Sequence, residues 1–177
     1  MKRLAIIFCL VLITLTLFGC GQSGSSSSGK GLLQVKVTDQ PGQGLTKILI
    51  TVNKVEVHRT GGDWTTVVDL EKTFDLMQIK TSELQIGEQS IQTGKYTEVR
   101  LYISKAVVSD ADGDIEVKVP SDAIRLIGNW DVKTGQTTIL TLDFSADEFL
   151  MFIANGQDQL TPTIKLNATY IPAPSGN

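Results

Sequence analysis

One histidine, two cysteines and 6% aromatic residues are all that a chain of 177 residues carries of those types. So little histidine and thiol leaves scant material for a zinc site, or for a nucleophile beside its base. No Gly-x-Ser-x-Gly elbow, phosphate loop or dinucleotide fingerprint occurs. A basic excess is also missing. Sixteen Lys and Arg face 19 Asp and Glu, a formal charge of -3, which gives no footprint for nucleic acid. The longest apolar run, Leu4 to Phe18, has 15 residues, short of the roughly 20 that span a bilayer. With 41% hydrophobic and 20% charged residues, the balance is globular rather than disordered. The length suits one domain.

The amino terminus reads as an address. Lys2 and Arg3 precede the apolar run, which ends in Leu17-Phe18-Gly19-Cys20. This resembles a bacterial lipobox, in which the cysteine is lipidated and becomes the first residue. Residues 1–19 are then a lipoprotein signal peptide. Residues 20–31 are the lipidated (palmitate-bearing) Cys20 and a Gly/Ser tether, 32–171 a single domain, and 172–177 a flexible tail. Cys9 leaves with the signal peptide, so the 158-residue mature chain has no free thiol. Losing Lys2 and Arg3 leaves 14 basic against 19 acidic residues, a charge of -5. The expected location is the cell envelope, membrane-anchored by lipid. Gly21 stands where Asp would retain the protein at the inner membrane, which favours the outer membrane in a Gram-negative cell.

The mature chain is written in strand residues: 17 Thr, 13 Val and 13 Ile against 7 Ala. Leu33, Val35 and Val37 alternate with Gln34, Lys36 and Thr38, the period of a half-buried strand. Ile48, Ile50 and Val52 repeat the pattern, and Val55 and Val57 resume it out of phase, which predicts a bulge or bend at Asn53-Lys54. Further strands are expected over 64–70, 96–108, 114–119, 136–144 and 160–171. Short helical turns are expected over 74–80 and 146–155. Gly61-Gly62, Asp112-Gly113 and Lys133-Thr134-Gly135 punctuate hairpins. The pattern predicts an all-β, antiparallel Greek-key β-sandwich, immunoglobulin- or transthyretin-like. Gly94-Lys95-Tyr96 predicts a tyrosine corner. Gly94 takes the turn, Tyr96 packs across it with its hydroxyl on upstream backbone, and Arg100 pairs with a loop carboxylate such as Asp39.

Few residues carry chemistry. Asp110, Asp112 and Asp114 alternate like the opening of a calcium loop, yet the twelfth position is Ser121 rather than Glu and the flanks are strands, so a polar hairpin tip is the rival reading. His58 sits near a strand end without evident metal partners. Asp39, Asp69, Asp75 and Asp143 are the carboxylates from which a glycosidase pair would come. Trp64, Trp130, Tyr102 and Tyr170 are candidates for a sugar-stacking platform, or for ordinary packing. Asp39, Trp64 and Trp130 are the candidate ligand contacts. No catalytic residue is named, and no cofactor beyond a possible calcium ion.

Several motifs in sequence together carry a resemblance. These are Thr38-Asp39 with Pro41-Gly42, Val52 through His58, Gly62 with Trp64, and Asp75-Leu76-Met77. Gly94-Lys95-Tyr96-Thr97 follows with Arg100-Leu101, then Pro120-Ser121, Leu142-Asp143-Phe144, and Leu160, Pro162 and Ile164. Over about 32–171 the chain resembles the bacterial and archaeal lipoprotein domains described as domain of unknown function 4382. The resemblance implies one envelope-exposed β-sandwich and no particular activity. The function expected is a non-enzymatic binding, adhesion or structural module, displaying loops to an envelope protein or glycan. The alternatives are a carboxylate-based glycan hydrolase and a calcium-stabilised adhesion module.

Overall fold

Leu33, Val35 and Val37 are fully buried while Gln34, Lys36 and Thr38 are not. That alternation recurs in other long strands of a computed structural model that describes residues 29–40, 46–79, 82–109, 111, 113–119, 122–145 and 163–172. The strands are β1 (Lys30–Gln40), β2 (Lys47–Arg59), β3 (Trp64–Val68), β4 (Lys72–Asp75), β5 (Leu84–Gln92), β6 (Gly94–Ser109), β7 (Asp114–Val117), β8 (Ile124–Val132), β9 (Thr137–Ser145) and β10 (Ile164–Ile171). One 3-10 turn, Leu76–Gln78, follows β4. The expected turn over 146–155, Cys20 and residues 21–28 of the expected tether lie outside the described residues, while Lys30 and Gly31, assigned to the tether from the sequence, open β1.

The strands form two sheets, so the all-β sandwich stands. One sheet has the order β10-β9-β1-β5. In the other, β2 and β6 lie side by side, and each has two short partners on its free edge. β3 and β4 line successive halves of β2, and β7 and β8 successive halves of β6. The pairings are antiparallel with one exception. β1 and β9 run parallel, from Leu32 opposite Thr137 to Gln40 opposite Ser145. The first sheet is therefore mixed, a correction to the wholly antiparallel expectation. β1 and β2 also fall in different sheets, whereas the immunoglobulin order puts its first two strands in one.

The bulge expected at Asn53 is present. Val52 opposes Ile103 and Lys54 opposes Tyr102, leaving Asn53 unmatched and exposed. The extra residue restores phase, so Val55 and Val57 join Ile48, Ile50 and Val52 in the core. Three strands were not legible in the alternation: β4, β5 and β8. In β5 the two core residues, Ile86 and Ile91, are an odd number apart, because Gly87 opposes Val35 and Gln85 opposes Lys36, leaving Ile86 bulged. In β8, Gly128 and an outward-facing Ile127, 73% exposed, break the pattern.

The core fills the space between the sheets. Tyr96, Trp130, Phe144, Leu33, Leu140 and Leu142 are among its fully enclosed side chains. Burying a side chain of this size contributes about 1.5–3 kcal/mol. Trp130 stacks on Tyr96 with ring centroids 6.0 Å apart and planes 18° from parallel. Among the described residues no helix is long and apolar enough to cross a membrane.

Candidate functional site

Sheet pleating sends Val55, Val57, Val99 and Leu101 inward. Their neighbours must then point outward, and in β2 and β6 those neighbours are polar. The result is a charged and aromatic grid on the outer face of the β2–β6 sheet. Trp64, His58 and Glu98 lie abreast across β3, β2 and β6. Thr66, Glu56, Arg100 and Arg125 form the next row, with Lys54 opposite Tyr102 beyond it.

Within the grid the side chains orient one another. Arg125 donates to Glu98 through two nitrogens, Nε at 2.6 Å and Nη2 at 3.0 Å, a bidentate fork. Nε of Arg100 is 3.8 Å from the same Glu98 carboxylate. The Arg100 guanidinium lies 3.8 Å above the Trp64 ring, a cation–π contact, and His58 packs against that indole at 4.9 Å. Glu56 accepts from the Tyr102 hydroxyl at 2.9 Å and pairs with Lys54 at 2.9 Å. Nζ of Lys54 is also 4.5 Å from the Tyr102 ring centroid.

These contacts fix charge states. The hydrogen bond from Arg125 chiefly holds the Glu98 carboxyl below its ordinary value. At Glu56, burial pushes the carboxyl up, but Lys54 and Tyr102 together outweigh it and the net direction is down. Both groups are anions at neutral pH, each facing a fixed cation. Beside them opens a shallow depression of about 380 Å³, lined by Arg100, Tyr102, Asp122, Ala123 and Arg125.

Of the candidate ligand contacts, only Trp64 belongs to this face. Trp130 is 2% exposed inside the core and presents no ring to a ligand, because its strand alternation turns it inward against Tyr96. Tyr170 is in the other sheet, where its hydroxyl accepts from the Asp131 backbone at 3.3 Å. The four aromatics therefore do not assemble into one platform. Arg100 does not pair with Asp39. Arg100 projects from β6 over Trp64, while Asp39 is buried at 3% exposure in β1 of the other sheet.

Two of the carboxylates offered for a catalytic pair, Asp39 and Asp143, are kept apart. Asp39 continues the inward series Leu33, Val35, Val37, whereas Asp143 pairs with Thr38 of the outward series. The two lie on opposite faces of their sheet. Asp75 caps the 3-10 turn, accepting from Met77 at 3.0 Å and from Ile48 at 3.1 Å. Asp110 and Asp112 lie outside the described residues. Asp114 accepts from the Ser109 hydroxyl and faces Lys47 at 3.6 Å. No group of three or more potential metal ligands occurs among the described residues.

Gly94 and Tyr96 form the turn between β5 and β6. Gly94 has φ +142, a conformation L side chains rarely adopt. Tyr96 is fully buried, and its hydroxyl donates to the Gln92 carbonyl at 2.8 Å. That geometry is a tyrosine corner. Sequence reasoning missed Glu56, Glu98 and Arg125. The signal for the first two was available: Glu56 interrupts Val55 and Val57, and Glu98 alternates with Arg100, each an outward charge between inward apolar residues.

Fold and face define a β-sandwich module with one polar, aromatic-bearing sheet surface. The family model described as Domain of unknown function (DUF4382) matches residues 30–162. The chain belongs to that family. No curated protein and no solved structure matches it.

Proposed function

We propose that this protein is an envelope-tethered, non-enzymatic binding module, and that the outer face of the β2–β6 sheet holds an acidic glycan of the envelope. The observation that carries this reading is the depression flanked by two guanidinium groups, with Glu98 orienting both. Guanidinium forks match carboxylates in shape and charge. Tyr102 and Asp122 at the rim suit sugar hydroxyls. A volume of about 380 Å³ falls in the range of small-ligand sites, enough for one or two sugar units. Lipidation at Cys20 supplies the tether, with the domain outside the cytoplasm. Nothing favours the hydrolase alternative, since Asp39 and Asp143 face opposite ways and Asp75 is engaged as a cap.

The test is calorimetric titration of the mature lipoprotein, in detergent, with hexuronate oligomers. Neutral oligomers of equal length serve as the control. Saturable binding of the acidic series is expected, weakened about tenfold or more, some 1.4 kcal/mol, by Arg100→Ala and by Arg125→Ala, with the fold retained by circular dichroism. Equal affinity for both series, or no effect of either substitution, contradicts the reading. Preferential binding of acidic peptides at the same residues would make the partner a protein.

A further inference from the structure

We infer that the end of the sandwich where the tether joins is a membrane-apposed surface that takes anionic phospholipid headgroups. This rests on the lipid anchor at Cys20. The described chain begins at Gly29, whose carbonyl accepts from Thr93 at 2.9 Å, and Lys30 sits opposite Gln92. The same end gathers three more basic residues from distant parts of the chain. Thr60 donates to the Lys95 carbonyl at 2.8 Å, which joins the β2–β3 turn to the start of β6. Arg59 lies beside Gly62 and Gly94, and the Lys133 backbone packs against Gly31. Half-exposed Tyr170 and Ile171 end β10 beside the start of β9.

Basic residues cluster at this end. Among the described residues, the ion pairs engage Lys36, Lys47, Lys54, Arg100, Lys105 and Arg125. Lys30, Arg59, Lys95 and Lys133 are in none of them, and neither are Lys72, Lys118 and Lys165, which are scattered elsewhere. Asp63 and Asp131 are the acids nearby, so four cations against two anions leave an excess of two, on a mature chain whose formal charge is -5. Unpaired basic residues beside a lipid anchor adsorb to anionic headgroups within a Debye length.

Geometry keeps this end near the bilayer. Ten residue steps lead from Cys20 to Lys30, a reach of at most about 36 Å. The 16 residues of β6 extend about 53 Å, so the opposite end can stand farther from the lipid than this one.

The test uses the full lipidated protein in phosphatidylglycerol-rich vesicles and in pure phosphatidylcholine vesicles. A fluorophore is placed at Thr134→Cys on this end or at Ala111→Cys on the other, with headgroup-spin-labelled lipid as quencher. The expected result is strong quenching at 134 and little at 111, in anionic vesicles only. Lys30→Glu/Lys95→Glu/Lys133→Glu should abolish it while leaving the urea midpoint unchanged. Equal quenching at both positions, or equal quenching in neutral vesicles, overturns the inference. Flotation separates the two readings. A protein that floats without quenching at 134 loses this surface alone. A wild-type protein that does not float loses the lipid anchor, and this surface with it.

Discussion

Tyr96 divides its side chain between two tasks, with the ring stacked on Trp130 in the core and the hydroxyl on the Gln92 carbonyl. Tyr96→Phe keeps the first and removes the second, so urea denaturation should register a loss of about 0.5–1.5 kcal/mol. Tyr96→Ala removes both and should cost about 3–5 kcal/mol. Gly94→Ala places a Cβ at φ +142, 3.2 Å from the Arg59 side chain, and should cost more than about 1 kcal/mol. A Tyr96→Phe protein as stable as its parent would show that the hydroxyl anchors nothing. This corner was legible because glycine, two residues before a tyrosine that opens a long strand, has a single backbone use there. Trp130 was not legible as core. An isolated tryptophan in Gly128-Asn129-Trp130-Asp131 has polar neighbours, and only the β6–β8 register turns it inward.

At the scale of elements, β2 and β6 form the spine of one sheet, and their outward charges work as a network. The Glu98 carboxyl lies below its ordinary value, chiefly through the hydrogen bond from Arg125. A depressed folded value contributes stability that is present above the ordinary carboxylate range and is lost as pH falls through the folded value. The stability gap between wild type and Glu98→Gln should therefore be open at pH 7 and close on acidification below the ordinary value, as read from urea midpoints. A gap independent of pH would contradict the ion-pair origin. At the β6–β7 turn, Ser109 chiefly, and then Lys47, hold the Asp114 carboxyl below its ordinary value. With Asp114 so engaged, millimolar calcium should leave the melting temperature where it is. A site at a hundredfold excess over its Kd would add about 2.7 kcal/mol, several degrees for this size. A rise lost in Asp112→Asn would establish a calcium tip instead. The long strands were legible where alternation is clean, as at 33–37 and 99–103. β5 and β8 were not, because a bulge in each shifts the phase that the eye relies on.

At the scale of the molecule, the proposed lipidation predicts that Cys20→Ser leaves a soluble or unprocessed form and abolishes detergent-phase partitioning. Unchanged partitioning would make the apolar run itself the anchor. Sandwich architecture follows from composition and turn spacing, since residues rich in Val, Ile and Thr, with turns every few residues, must stack sheets to bury both inner faces. Strand order did not follow, because the choice of neighbour for β1 depends on crossings that leave no local mark. The proposed binding face was half legible for the same reason. Alternation shows that Glu98 and Arg100 point outward, but only pairing across β3, β2, β6 and β8 brings Trp64 and Arg125 to them. The most direct measurement uses the chain's two tryptophans, one on that face under Arg100 and one buried. A hexuronate oligomer that engages Arg100 must alter its contact with Trp64. Titration should give a saturable change in tryptophan emission that vanishes in Trp64→Phe and shifts to about tenfold or more higher ligand concentration in Arg100→Ala. A change that survives Trp64→Phe, or emission unmoved by ligand that calorimetry shows to be bound, would place the binding surface elsewhere.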